Sequence, residues 1–282
     1  MTRILAAAAT LLVGCTDGED TEPAVMTQLS GGVVYTCGLD GAGSVSCWGM
    51  PMEPDEGSPE LPYPDTTFVQ IDADAGNTCG LADDGSAVCW GGFFEGIDEI
   101  PSATDLEQIS MGRYDACGLH TDGEVSCWGV DITPPAGPFA SVSTGSEIAC
   151  GLTAGGEISC WGDILYDSFR DNIPVGDIVA VDVSGLACAL DASGAVTCWD
   201  DTYADLGLLS GVSVVSMETG AGFVCGQTAD GEIVCDGDDG EGQASPPSGA
   251  LSTFGLGYDH GCGSDADGVV CWGLDGNGQA SP

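Results

Sequence analysis

Fourteen of the fifteen cysteines in this chain fall into seven pairs, and these are the residues whose type and spacing most plainly admit chemistry. Cys37 and Cys47, Cys79 and Cys89, Cys117 and Cys127, Cys150 and Cys160, Cys188 and Cys198, and Cys225 and Cys235 stand ten residues apart, and Cys262 and Cys271 nine apart. A zinc site needs four ligands converging on one point, usually drawn from pairs about two to four residues apart, so this spacing is too wide for that pattern. Oxidised in an exported protein, the same pairs become disulfides. Other reactive types are thin. His120 and His260 fall at different phases of the repeat, no G-x-S-x-G elbow is present, and the 45 acidic residues could supply a glycosidase pair without singling one out.

Each cysteine pair sits in the same short stretch, from which the elements that position it can be read. In register the copies are CGLDGAGSVSCWG from Cys37, CGLADDGSAVCWG from Cys79, CGLHTDGEVSCWG from Cys117, CGLTAGGEISCWG from Cys150, CALDASGAVTCWD from Cys188, CGQTADGEIVCDG from Cys225 and CGSDADGVVCWG from Cys262. A glycine follows the first cysteine by six residues in every copy, and in four copies an aspartate precedes it (Asp84, Asp122, Asp230, Asp267). Asp-Gly is a hairpin signal in which both turn residues take positive φ. Each copy is expected to be a tight β-hairpin whose cysteines face one another across the strands, giving one disulfide per hairpin.

Successive first cysteines are 42, 38, 33, 38, 37 and 37 residues apart, a period of one small sheet per copy. The reading is an all-β, seven-bladed β-propeller with one hairpin disulfide per blade, with a solenoid as the competing architecture. The C-terminal GNGQASP (Gly276 to Pro282) parallels GEGQASP (Gly240 to Pro246), and Thr21 to Gly32 resumes the repeat at that phase. The N-terminal strand is therefore expected to complete the last blade.

Residues 1–14 read as an export signal: Arg3 precedes an apolar run from Ile4 to Val13 that is too short to span a bilayer. Leu12-Val13-Gly14-Cys15 looks like a bacterial lipobox, which would make Cys15 the lipidated N-terminus, residues 15–21 an acidic tether and residues 22–282 the propeller. Membrane contact is expected only through that lipid, in the cell envelope at the outer membrane or cell surface.

Charge excludes partners more firmly than it selects them. The chain has no lysine, arginine only at positions 3, 113 and 170, and a formal net charge of −42. Nucleic acid binding needs a positive stripe that releases counterions, which this composition cannot supply. DGDDGEG from Asp236 and DADAG from Asp72 raise the question of calcium, but neither fits an EF-hand loop. No metal or cofactor is expected.

The run of Cys-Gly-Leu, Asp-Gly and Cys-Trp-Gly, followed in the last copies by Gly-x-Gly-Gln, resembles the repeats of the regulator of chromosome condensation family, in its disulfide-bearing bacterial secreted branch. Six copies place tryptophan after the second cysteine (Trp48, Trp90, Trp128, Trp161, Trp199, Trp272), and Asp236 replaces it in the sixth. The resemblance implies a seven-bladed propeller. It does not carry the exchange-factor activity of the nuclear namesake, since fold alone is a poor warrant for activity. A secreted relative that inhibits β-lactamase by capping it makes binding the natural first hypothesis.

The segments between each Cys-Trp-Gly and the next blade vary most, and several carry aromatics among acidic residues: Tyr63, Phe93, Phe94, Tyr166 and Phe169 beside Arg170, and Tyr203. Such loop residues dominate protein interfaces, although they could equally fold back over the blade edges. The expected function is a monomeric, non-catalytic binding scaffold for an unidentified protein or surface ligand. The alternatives are a carbohydrate-active enzyme using a carboxylate pair and an enzyme-inhibitor-like propeller. Two opposed carboxylates in a deep pocket would favour the enzyme, and a broad aromatic face the binder.

Overall fold

The computed structural model describes residues 25–49, 66–91, 100, 102–129, 132–146, 148–162, 167–200 and 205–282. These form seven three-stranded antiparallel sheets, each built from consecutive strands. In blade 1 the inner, middle and outer strands are Met26–Gly31, Tyr35–Asp40 and Val45–Gly49. The inner strands of blades 2 to 7 are Phe68–Asp74, Leu106–Met111, Ser141–Thr144, Ile178–Val183, Ser216–Thr219 and Thr253–Leu256. Each inner strand contacts the next around the circle, and that of blade 7 contacts that of blade 1, so the molecule is a closed propeller.

The hairpin carries each cysteine pair as its sequence implies. Cys37 pairs with Cys47 across the middle and outer strands, and the equivalent register recurs in every blade. All seven disulfides are formed, with Cα atoms 4.0 to 4.1 Å apart, the close type of antiparallel pair. The turn differs from expectation. Asp40 N–H donates to Ser44 O and Gly43 N–H to Asp40 O, so three residues close the loop and only the glycine, at φ 85°, is left-handed. The preceding aspartate works through its carboxylate instead: Asp84 Oδ1 accepts from Ser86 N–H at 3.0 Å, and Asp122 Oδ1 from Glu124 N–H at 3.0 Å. Blade 7, one residue shorter, pairs Asp265 directly with Gly268.

The core lies between blades. The Cys117 disulfide packs with Leu119 against Val142 and Trp161 of blade 4, and the Cys79 disulfide with Leu81 against Ile109 and Trp128 of blade 3. Each tryptophan thus covers the disulfide of the preceding blade. Blade 6 has no tryptophan, and Leu209, Val214 and Met217 cover the Cys188–Cys198 disulfide there. Asp236 Oδ2 accepts from Leu209 N–H at 3.0 Å, so the replacement residue holds the side chain that fills the gap.

Closure also differs from expectation. The N-terminal strand belongs to blade 1, where it pairs with Tyr35–Asp40, rather than completing blade 7. The C-terminal segment makes the lap. Gln279 O accepts from Trp48 Nε1 and from Thr36 Oγ1, both at 3.1 Å, just as Gln243 O accepts from Trp272 Nε1 at 2.9 Å. The two G-x-G-Q segments therefore dock on the blade that follows them, and for the last copy that blade is the first.

Candidate functional site: the axial channel and its mouth

Inner strands alternate side chains between the axis and the inter-blade core, which builds two polar tiers around the axis. In the first, Gln28, Gln70 and Gln108 each reach the next blade. Gln70 Nε2 donates to Ile109 O at 2.7 Å and Gln70 Oε1 accepts from Ile109 N–H at 2.9 Å. Gln28 does the same with Ile71, and Gln108 with Val142. Each amide takes the place of a missing strand partner.

The second tier lies opposite the first cysteine of each blade and comprises Ser30, Asp72, Ser110, Ser143, Asp182, Glu218 and Gly255. Six of them accept a backbone N–H of the following blade: Ser30 from Ala73, Asp72 from Met111, Ser110 from Thr144, Ser143 from Val183, Asp182 from Thr219 and Glu218 from Leu256. Ser30 Oγ also donates to Asp72 Oδ1 at 3.0 Å and Ser143 Oγ to Asp182 Oδ1 at 2.9 Å. At the seam between blades 7 and 1 the backbones themselves meet, and a Cβ on Gly255 would lie 2.2 Å from Leu29 O.

Apart from Gly255 these residues, together with Asp74, line a cavity of about 270 Å³ on the axis. Asp72 of blade 2 stands three blades from both Asp182 of blade 5 and Glu218 of blade 6, so the carboxylates oppose one another. Desolvation raises the Asp72 carboxyl to about 7, with repulsion from Asp182 adding to it. Burial, then the charges of Asp182 and Asp72, also raise Glu218 well above the usual carboxylate range. At the end where inner and middle strands connect, burial raises Asp74 to about 6, countered in part by the N–H of Ala75 and less by Arg113.

A second cavity, of about 320 Å³, opens at that end among Val33, Asp74, Arg113, Tyr258, Phe169 and Asp200. The outer strands finish at the same end, so the variable segments leave from this face. Arg113 is exposed and lies 5.4 Å over the Tyr114 ring, and Tyr258 is 42% exposed.

Of the sequence-derived binding residues, Phe169 and Arg170 lie on the short helix Asp167–Asp171. The Phe169 ring packs on Trp199 with centroids 5.9 Å apart, as Phe68 packs on Trp90 and Phe139 on Trp161, so it has folded back over its blade. Arg170 is exposed. Tyr63, Phe93, Phe94, Tyr166, Tyr203 and the lipobox Cys15 lie outside the described residues. His120 bonds Asp105 and Ser126 on its hairpin, each at 2.9 Å. His260 is wholly buried at the blade 7 and 1 seam, 2.7 Å from Thr36 Oγ1, and desolvation lowers its pKa to about 4. Among the described residues no group of three His, Cys, Asp or Glu side chains could hold one metal ion. The aspartates of DGDDGEG accept neighbouring backbone N–H groups: Asp236 from Gly237 and Leu209, Asp238 from Gly240 and Asp239 from Ala244.

Sequence reading missed the carboxylate tier, although its signal is present. Counting seven residues back from the first cysteine reaches the tier in six blades, and six residues back reaches Asp182 in blade 5.

No protein-family model and no curated protein matches this sequence. Solved structures do. The ectodomain of the receptor kinase CR4 from Physcomitrella patens is 24% identical with a TM-score of 0.73, over 89% of this chain and 74% of that one. The CRINKLY WD40 ectodomain of ACR4 from Arabidopsis thaliana is also 24% identical, with a TM-score of 0.70 over 89% of this chain and 98% of that one. Prp20p of Saccharomyces cerevisiae, the yeast RCC1, is 14% identical with a TM-score of 0.62, over 82% and 80% of the two chains. In fold, this chain is an RCC1-like seven-bladed propeller with a disulfide in every blade.

Proposed function

We propose that this protein is an exported binding propeller of the bacterial secreted branch, anchored to the cell envelope through a lipid on Cys15, without catalytic activity. It engages a protein or surface ligand with the face at which the variable segments leave. The observation that carries the reading is the channel mouth, where exposed Arg113 and Tyr258, residue types that dominate interface energetics, stand together on an otherwise acidic chain. Seven disulfides support an oxidising compartment. The RCC1-like propeller Prp20p binds Gsp1p and histones, which supports protein binding as the mode though not the partner. No helix among the described residues is long and apolar enough to cross a membrane.

One observation favours the alternative of a carbohydrate-active enzyme: Asp72 opposes Asp182 and Glu218, and a carboxyl near 7 suits a general acid. Against it, every carboxylate in the tier already accepts a backbone N–H of the next blade. The deciding experiment is crosslinking capture from intact cells with the lipidated protein and an Arg113→Glu, Tyr258→Ala variant. Both changes are on exposed side chains, so the fold is retained. A partner caught by wild type and lost in the variant is expected. Capture unaffected by the variant, or glycan hydrolysis lost on Asp72→Asn, overturns the reading.

A further inference from the structure

The two G-x-G-Q segments fold into matching turns and differ in sequence at a single position, Glu241 in one and Asn277 in the other. In each turn the second glycine takes positive φ, 82° at Gly242 and 79° at Gly278, and its N–H donates at 3.2 Å to the carbonyl of the aspartate three residues back, Asp239 or Asp275. The residue before that glycine gives its own N–H to the glutamine side chain, Glu241 to Gln243 Oε1 at 2.7 Å and Asn277 to Gln279 Oε1 at 2.8 Å. The closing turn therefore places an asparagine directly before a glycine. The chain has three asparagines, at 77, 172 and 277, and only Asn277 is so placed. Asn77 is buried and precedes the β-branched Thr78, and Asn172 donates Nδ2 to Asp200 O and precedes Ile173. The Asn277 side chain is half-buried and its amide makes no hydrogen bond among the described residues, while Gly278 has no Cβ to screen its nitrogen.

We propose that Asn277 is a site of spontaneous deamidation and that its isoaspartyl product releases the segment that closes the ring. The N–H of Gly278 first leaves its long bond to Asp275 O. Its nitrogen loses the proton to hydroxide and bonds Asn277 Cγ, the Cγ–Nδ2 bond breaks, and the amide nitrogen takes a proton from water and departs as ammonia, leaving a succinimide. Water then adds to one of the two imide carbonyls. Opening at Cγ gives aspartate, an acid where the matching turn already carries the exposed Glu241, so that product keeps the turn. Opening at the backbone carbonyl routes the chain through the side chain and lengthens it by a methylene between residues 277 and 278. Gln279 stands directly downstream, wholly buried, with its carbonyl accepting from Trp48 Nε1 and Thr36 Oγ1 of blade 1. A longer chain cannot keep both the turn and that docking, so the lap across the seam is lost. Asp275 also precedes a glycine, but its carboxylate is engaged by Ala280 N–H at 2.9 Å and by Ser281 Oγ at 2.6 Å and is a poorer electrophile than an amide.

The test is to age the folded protein in heavy-oxygen water at pH 6 and pH 8, then follow its peptic peptides by mass spectrometry and its indole N–H groups by NMR hydrogen exchange. The peptide carrying residue 277 should take up the label, faster at pH 8, and fragmentation should show both aspartyl and isoaspartyl forms. Peptides carrying Asn77 and Asn172 should stay unlabelled. In the aged protein a second Trp48 indole signal should appear, exchanging about tenfold faster and in the same proportion as the isoaspartyl form. The Trp272 indole, which donates to Gln243 O in the matching turn, should not change. Asn277→Glu, which installs the residue of that turn, should fold, take up no label and keep a single slow Trp48 signal. Labelling of Asn277 no faster than of Asn172 would overturn the site. An isoaspartyl form whose Trp48 indole exchanges as before, or fast Trp48 exchange already present in fresh Asn277→Glu, would overturn the release by chain lengthening.

Discussion

The chain holds two populations of carboxylate in opposite settings. On the hairpin turns Asp84 and Asp191 sit in water and accept hydroxyl and backbone hydrogen bonds from Ser86 and from Ser193 and Ala195, which lower their pKa values. On the axis Asp72 and Glu218 are also hydrogen-bonded, yet burial and mutual repulsion outweigh those bonds and raise theirs. The same functional group thus serves a local turn cheaply at the rim and an inter-blade clasp at a cost in the middle. Hydrogen bonds alone do not set a pKa, because desolvation can outweigh them.

The largest effect that would break this comparison is on pH. A folded-state pKa above the unfolded value gives stability that is complete below the unfolded value and lost as pH rises through the folded one. Asp72 moves from 3.8 to about 7 and Asp74 from 3.8 to about 6, so stability should fall between about pH 4 and 8. For Asp72 alone the loss is roughly 4 kcal/mol. The lowered turn carboxylates and the buried His260, lowered from 6.5 to about 4, act in the opposite sense, losing their contribution as pH falls below their unfolded values. Urea denaturation across pH should therefore give a dome with its maximum near pH 4 to 5, and Asp72→Asn should flatten the alkaline limb. A curve that climbs steadily to pH 8 would show that the axis is better solvated than its geometry implies.

The hairpins offer a second test. Replacing Cys188 and Cys198 together by alanine should cost up to about 3 kcal/mol on the chain-entropy estimate, less where the hairpin already brings its ends together. The loss should be equal at pH 5 and pH 8, since the disulfide lies outside the axial tier. A pH-dependent loss would mean that hairpin and axis are coupled.

The sequence was most legible where the copies agree. Cysteine spacing gave the hairpins, their disulfides and the blade count, because every blade repeats the same cross-strand geometry. It was least legible where copies diverge. The tier residues are serine, aspartate, glutamate and glycine in turn, so no single type marks them, and Asp72 drew notice only within DADAG as a calcium candidate. A loop aromatic such as Phe169 reads equally as a recognition residue or as cover for a blade edge, and its ring packs on Trp199 while the residue also lines the second cavity. Asp-Gly predicts positive φ at both turn residues, whereas in all four such turns only the glycine takes it. The ring was expected to close through the N-terminal strand, yet the register binds that strand to blade 1 and leaves the lap to Gln279.

The smallest effect separates the two axial tiers. Gln70 satisfies both backbone groups of Ile109 across the blade boundary, and blade 5 has Ala180 at the equivalent place with no such bridge. Gln70→Ala removes both bonds from a partly solvated position, so water can replace them in part and the cost should be about 1–2 kcal/mol by thermal or urea unfolding. Unlike the Asp72 effect, it should not vary between pH 4 and 8, because an amide does not titrate. Gln70→Glu sharpens the contrast. It keeps an acceptor for Ile109 N–H; protonated it can also donate to Ile109 O, whereas ionised it loses that donor and adds a charge to the axis, so it should be at least as stable as Gln70→Ala at pH 4 and the less stable of the two at pH 8. Equal stability at both pH values would mean that the cost of charge on the axis belongs to the Asp72 tier alone.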